Sequence, residues 1–405
     1  MNVYLDNAST TPLSSTTKNY IIQLLDEFGN PSSLHSVGKL AKETISDTRK
    51  LVAKFINADA NNIYFTSGGS ASNTLAIKGY EKEYKCDIFY SPIAHKSILK
   101  CVDSITSSST VSLFVDEDGK IDINEMECML TLCDYTPFVI IDYGNSEIGT
   151  IQDVKQIIDI VHEQGGIVML DCTGSISTIP LDVKSLDVDI ATFSAHKLGG
   201  LKGCGVLYKK PNIELEPLIY GSQEQGLVGG TENVLGIASL GKAIENYDYS
   251  SISSTNRDYV YDYIINNIPN SYIVGSLKNR LAHNLYMCFK GIEGESLMLL
   301  LDMNGIQVST GSACNSNSIT ASTTLSAIGM NKDDIHSCIR MTFSGNETKE
   351  ELDYVCVFFA RPFWKKMQNF LENSASPNWR KLQRYRSAIF YRPDTSAGIV
   401  NCYKV

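Results

Sequence analysis

Residues 153–172 read DVKQIIDIVHEQGGIVMLDC. The first part, DVKQIIDIVHEQGG, is an amphipathic helix closed by glycine. The second, GIVMLDC, is a short apolar run of strand type that ends on a carboxylate, Asp171. Outward from this unit the pattern repeats. CDIFYSP, TVSLFVD, PFVIIDY, VDIATFS and GVLYKK are further strand candidates, and NIYFTSGGSASNTLAIKGY reads as a strand, a glycine turn and a helix. Nearer the N-terminus, GKLAKETISDTRKLVAKFI places Ala41, Ile45, Thr48, Val52 and Phe55 on one helical face. Strands alternating with helices predict an α/β fold, with a mostly parallel sheet covered on both faces over roughly residues 15–245. The polar, Ser-rich NYDYSSISSTNRDY (246–259) reads as a hinge or boundary.

At 405 residues the chain exceeds one ordinary core, so two domains are expected. Its 43% hydrophobic and 20% charged content excludes a disordered chain. No run approaches the ~18 apolar residues of a membrane span. The start, MNVYLDNAST, lacks the basic and apolar regions of a secretory signal, so a cytoplasmic location is expected. The net charge of −10 makes the chain a poor general nucleic-acid binder. Its eleven cysteines are odd in number, scattered and without a CxxC pair, which argues against a zinc site and a disulfide framework. Any chemically special cysteine must be picked out by its context.

In open α/β sheets ligands sit beyond the carboxyl ends of the strands. Three candidate strand ends carry polar groups there. FTSGGSAS offers Gly68, Gly69 and Ser70 at a helix start, where free N–H groups favour a phosphate. IVMLDCTG ends in Asp171, and ATFSAHK ends in Ser194, His196 and Lys197. A phosphate cradle, a carboxylate and a lysine together suit pyridoxal phosphate, with the lysine as Schiff-base anchor and the carboxylate keeping the pyridine nitrogen protonated. Each signal alone is weak; their order along the chain is the stronger observation.

That order extends through YLDNASTTP, FGNPSS, FTSGGSASNTLAIKG, AHK, NSEIG, DCTGS, FSAHKLGGLKG, GGTEN, STGSACNS and HSCIRMT. Over about residues 1–375 the series resembles the cysteine desulfurases of the class V aminotransferase superfamily. The resemblance implies pyridoxal-phosphate fold type I: an N-terminal segment (1–14) packing with a small domain, a large cofactor domain (15–250), a smaller α+β domain (251–375) and a divergent tail (376–405). It further implies a homodimer with active sites at the interface, L-cysteine as substrate, and sulfur passed to an iron–sulfur scaffold or thiolation enzyme. Residue by residue, Lys197 matches the Schiff-base lysine, Asp171 the partner of the pyridine nitrogen and His95 the ring-stacking histidine. Gly69, Ser70, Ser194 and His196 match the phosphate-binding positions, and Thr231 a threonine reaching the partner subunit's phosphate. Arg340 matches the clamp on the substrate carboxylate. Cys314, in the polar stretch TGSACNSNSITAS, matches the nucleophile that accepts sulfur, with the spacing of the family's long-loop branch.

Four positions depart from the family. Gly174 replaces a glutamine that bonds the cofactor's phenolic oxygen, which predicts open space there, and Ser146 replaces an asparagine near that oxygen and the substrate. Gln225 and Val228 stand where arginines are customary. In the tail, Arg380, Lys381, Arg384, Arg386 and Arg392 interleave with Trp379, Tyr385, Phe390 and Tyr391, the pattern of a packed extension or of a docking surface. The leading expectation is a desulfurase that converts L-cysteine to L-alanine and a Cys314 persulfide. A related lyase or desulfurase for another sulfur or selenium amino acid is the alternative, as is a non-catalytic scaffold subunit.

Overall fold

Runs such as PFVIID and IVMLD have no polar face to give to solvent, and in the computed structural model they lie at the centre of a sheet. The structure describes residues 1–311 and 322–360. In chain order its strands are β1 (Val3–Tyr4), β2 (Ile63–Thr66), β3 (Cys86–Tyr90), β4 (Thr110–Ser112), β5 (Thr136–Asp142) and β6 (Ile167–Asp171). β7 (Ile190–Ser194), β8 (Gly205–Lys209), β9 (Ser271–Ile273), β10 (Asn284–Phe289), β11 (Ile306–Gln307) and β12 (Cys338–Thr342) follow. A seven-stranded sheet runs β2-β8-β7-β6-β5-β3-β4. Only β8 runs against the direction of the other six strands in it.

The apolar runs are continuous because each strand feeds two cores. Along β5, Val139 and Ile141 join the core under helices Ser36–Phe55 and Val154–Glu163, whereas Phe138 and Ile140 join the core under helix Gly69–Glu83. Helix Ser36–Phe55 starts at His35, whose Nδ1 accepts from Gly38 N at 3.3 Å, and buries Ala41, Ile45, Thr48 and Val52 as its spacing predicts. TVSLFVD is a strand only over Thr110–Ser112, since β4 is an edge with β3 as its single neighbour.

A second, antiparallel sheet runs β12-β10-β9. The N-terminal segment joins this part of the molecule, through the β1–β11 pair and a bridge from Asp6 to Thr342. The expected hinge at 246–259 is instead pinned. Tyr247 and Tyr249 pack on Phe55 with ring centroids 6.0 and 5.5 Å away, and Tyr249 Oη donates to Ile176 O at 2.6 Å. Two tyrosines in that polar stretch find apolar partners, which its serine content hid. Met1–Phe359 forms one compact unit, and the expected tail 376–405 lies outside the described residues. Among the described residues no helix is long and apolar enough to cross a membrane.

Candidate active site

The carboxyl ends of β5, β6 and β7 open onto a cavity of about 280 Å³. Eight of the expected residues line it: Gly69, Ser70, His95, Ser146, Asp171, Ser194, His196 and Lys197. A larger hollow, about 490 Å³, lies beside Asn61, Tyr64 and Lys209 and contains none of them.

Asp171 ends β6 with its carboxylate doubly held. Asn73 Nδ2 donates to Oδ2 and Thr173 N to Oδ1, each at 2.8 Å. Asn73 also donates to Ser97 Oγ at 3.0 Å and accepts from Thr192 Oγ1 at 2.5 Å. Ser97 N in turn donates to His95 Nδ1 at 3.1 Å, which leaves the ring proton on Nε2. His95 is thereby fixed as the N-cap of helix Lys96–Asp103. Its ring is open to solvent, yet the surrounding cavity wall, by desolvation, lowers its pKa, so it is neutral at pH 7.

Lys197 follows β7 in a single 3-10 turn, Ala195–Lys197. Its Nζ donates to Ala8 O and to Ser9 O at 3.1 Å. Burial, with Arg340 adding to it, lowers the Lys197 amine to about 8. His196 is lowered to about 4 by burial and by the Lys197 and Lys202 charges, so it is a neutral hydrogen-bonding group. Ser194 Oγ accepts from Gly69 N at 2.8 Å. A Cβ on Gly69 would come within 2.7 Å of that oxygen and 3.1 Å of Thr173 Oγ1, which explains the glycine. Gly68 gives helix Gly69–Glu83 no side-chain cap, so N–H groups of its first turn are left for an anion.

Of the other three expected residues, two lie off the cavity wall and one is not among the described residues. Arg340, on β12, sits just behind it: one guanidinium nitrogen donates to Ser146 O at 2.9 Å, another to Asp6 Oδ1 and Ser9 Oγ at 2.9 Å each. Its Nε is buried with no partner among the described residues. Thr231 is exposed on the loop before helix Val234–Glu245, away from the cavity of its own chain. Cys314 lies outside the described residues, but Gly311 and Ser322, which flank that stretch, are both on the cavity wall.

The open space expected at Gly174 is absent. A Cβ there would run into Gly144 O and lie 3.1 Å from Ser146 N, so the 144–146 backbone fills the place of a side chain. Gln225 and Val228 turn toward their own chain, Gln225 donating to Asn61 O at 3.2 Å and Val228 packing on the core. Sequence reading missed Asn73, Thr173, Asp6 and Asp142. Asn73 was legible as a polar residue on the helix face that also buries Ala76, Ile77 and Tyr80; the other three become neighbours only on folding.

These residues fit pyridoxal phosphate on the site's own chemistry. A primary amine of lowered pKa, a carboxylate at a strand end and an uncapped helix start share one wall, and the Thr173 hydroxyl is buried there with no partner among the described residues. The class-V aminotransferase family model matches residues 3–355. Cysteine desulfurase IscS of Methanosarcina thermophila is 38% identical over 365 residues, covering 87% of this chain and 90% of that one. The structure of a NifS-like protein from Rickettsia africae superposes with a TM-score of 0.82 at 28% identity, covering 90% of this chain and all (100%) of that one. SspA in complex with cysteine gives 0.75 at 29% identity, covering 86% of this chain and 100% of the other. With its fold, its strand-end lysine and carboxylate and these likenesses together, the chain belongs to the class-V aminotransferases, the pyridoxal-phosphate-dependent family that includes the cysteine desulfurases.

Proposed function

We propose that this chain is a cysteine desulfurase that converts L-cysteine to L-alanine, holds the sulfur as a persulfide on Cys314, and passes it to an acceptor protein. The observation that carries the reading is the meeting of Lys197, Asp171, His95 and the Gly69–Ser194 cradle at one set of strand ends. Pyridoxal phosphate, when bound, supplies the electron sink that labilises bonds at the substrate's α-carbon. Gly69, Ser70, Ser194 and His196 would hold its phosphate, Asp171 would pair with its pyridine nitrogen, and His95 would pack against its ring. Lys197, with an amine that is partly neutral near pH 8, both anchors the cofactor and carries the substrate's α-proton. Arg340, already aimed at Ser146, clamps the substrate carboxylate; its rigid fork suits that planar group.

Cys314 thiolate attacks the substrate's sulfur. A bond forms between the two sulfurs, the carbon–sulfur bond breaks with its electron pair on carbon, and a proton on that carbon completes alanine. An ordinary thiol is only a few per cent thiolate at pH 7, so the segment between Gly311 and Ser322 must supply activation. The reading includes a homodimer, in which Thr231 reaches the partner subunit's phosphate, a cytoplasmic location, and a boundary near residue 250 between large and small domains. The two sheets support that boundary, since one lies within residues 63–209 and the other within 271–342. Exposed Phe28, Leu34 and Tyr220 support the second copy.

The test separates the two chemical stages. Cys314→Ala is expected to bind the cofactor and to show its spectral change with cysteine, while alanine formation falls by orders of magnitude and no protein-bound sulfur appears. Alanine and sulfide made at the parent rate by this variant would sink the persulfide step.

A further inference from the structure

The sheet brings a second carboxylate to the floor of the same cavity. Asp142, the last residue of β5, pairs in parallel register with Asp171, the last residue of β6, so the two side chains leave adjacent strands on one face. Asp142 lines the cavity, is 5% exposed, and neither of its carboxyl oxygens has a hydrogen-bond partner among the described residues. Asn145 and Ser91 lie near enough to favour its charge in part, but neither completes a hydrogen bond to it. Asn145 Nδ2 is committed to Ile93 O at 2.8 Å, and Ser91 Oγ has no partner among the described residues. Asp171, by contrast, accepts two hydrogen bonds at 2.8 Å. When two carboxylates share a buried site, the one with donors takes the charge and the other keeps the proton.

We propose that Asp142 is a proton-holding positioning residue: it is neutral beside ionised Asp171 in the cofactor-free chain, and it gives up its proton when a protonated pyridine ring is bound at Asp171. This rests on the reading of the cavity as a pyridoxal-phosphate site. A cation held between two carboxylates favours the ionised form of both, so cofactor binding is linked to proton release. Burial, opposed in part by Asn145 and reinforced by Asp171, pushes Asp142 up to about 7, so the proton leaves within the working range of pH. The titratable groups around it are Asp171 and Cys172 on β6, Tyr143 and Glu147 after β5, His95 and Lys96 after β3, and Lys197 after β7. Burial raises the Cys172 thiol well above its usual value, and desolvation by the cavity wall lowers His95, so both are uncharged at pH 7. Lys197 titrates nearby, at about 8, and is common to every variant compared below.

The full-length chain, freed of cofactor, is titrated with pyridoxal 5′-phosphate between pH 6 and pH 8 as wild type, Asp142→Asn and Asp142→Leu. Wild-type affinity is expected to rise with pH relative to both variants, the ratio of dissociation constants widening by about tenfold over that range, as for one proton leaving a group that titrates at about 7. Calorimetry in two buffers at pH 6, where Asp142 is mostly protonated, is expected to count about one proton more released by the wild type than by Asp142→Asn. Parallel pH dependences overturn the proposal, whereas a wild type that binds no pyridoxal 5′-phosphate at any pH overturns the cofactor reading instead. Should neither variant fold, the infrared spectrum of the wild type decides. A protonated-carboxyl stretch present at pH 6 and lost on cofactor addition supports the proposal, and its absence at pH 6 overturns it.

Discussion

Lys197 has its reactivity set by what lies within a few ångströms. Removal from water lowers its amine to about 8, and Arg340 pushes in the same direction against the weaker pull of Asp6 and Asp171. Below that value the amine is mostly protonated and cannot attack; above it the amine is mostly neutral. Capture of added pyridoxal 5′-phosphate by the cofactor-free chain is therefore expected to accelerate by about tenfold per pH unit up to about 8 and then level off, measured by stopped-flow absorbance. Lys197→Ala is expected to hold no borohydride-reducible cofactor. A capture rate still rising tenfold per unit above pH 9 would mean that the amine is not desolvated. Gly174 is the counterpart at this scale: a position that in the sequence looked like a lost donor is occupied by the backbone of Gly144 and Ser146.

At the scale of elements, the site depends on how helix Gly69–Glu83 is set against β6 and β7. Its first turn faces Ser194, and one turn on, Asn73 ties together Asp171 of β6, Thr192 of β7 and Ser97 of the next helix. Replacing Asn73 by Leu keeps the volume but leaves the Thr192 hydroxyl and one Asp171 oxygen without that partner. Leaving buried groups unpaired costs about 1–3 kcal/mol, so urea unfolding of the cofactor-free Asn73→Leu protein is expected to show a loss of that order. Cofactor affinity is expected to fall with it, because Asp171 loses a hydrogen bond that favours its charge. Unchanged stability would show that Asn73 is a bystander.

For the whole molecule, the N-terminal segment closes the arrangement. β1 pairs with β11, Asp6 bridges to Thr342, and from that anchorage Ala8 and Ser9 offer carbonyls to Lys197 while Asp6 pairs with Arg340 at 2.9 Å. On the proposed reading Thr231 belongs to the same scale, since it is exposed in its own chain and would meet a cofactor only in a second copy. Thr231→Ala is expected to weaken cofactor retention by roughly tenfold or more, the effect of one lost hydrogen bond to a charged group. Dilution of the wild type to monomer should bring a comparable loss, followed by sedimentation and absorbance together. A monomer that retains cofactor as firmly as the dimer would contradict the role.

The sequence by itself determined the α/β class and six of the cavity's lining residues, Gly69, Ser70, Asp171, Ser194, His196 and Lys197, because strand periodicity, a glycine turn and a terminal carboxylate or lysine are local signals; His95 and Ser146 came only through the family resemblance. Lys197, Asp171 and Gly69 are legible for that reason: each ends or begins an element, and the ends of parallel strands point one way. Only the tertiary structure decided the rest. Asp142 ends an apolar run and looks like any strand-end carboxylate until β5 and β6 come into register beside each other and leave it next to Asp171 with no donor. Asp6 and Arg340 are 334 residues apart and meet only because the N-terminal segment crosses to β12. Local pattern fixes which groups reach a strand end; the register and packing of distant segments fix which charges they must face there, and charge response falls off within a few ångströms.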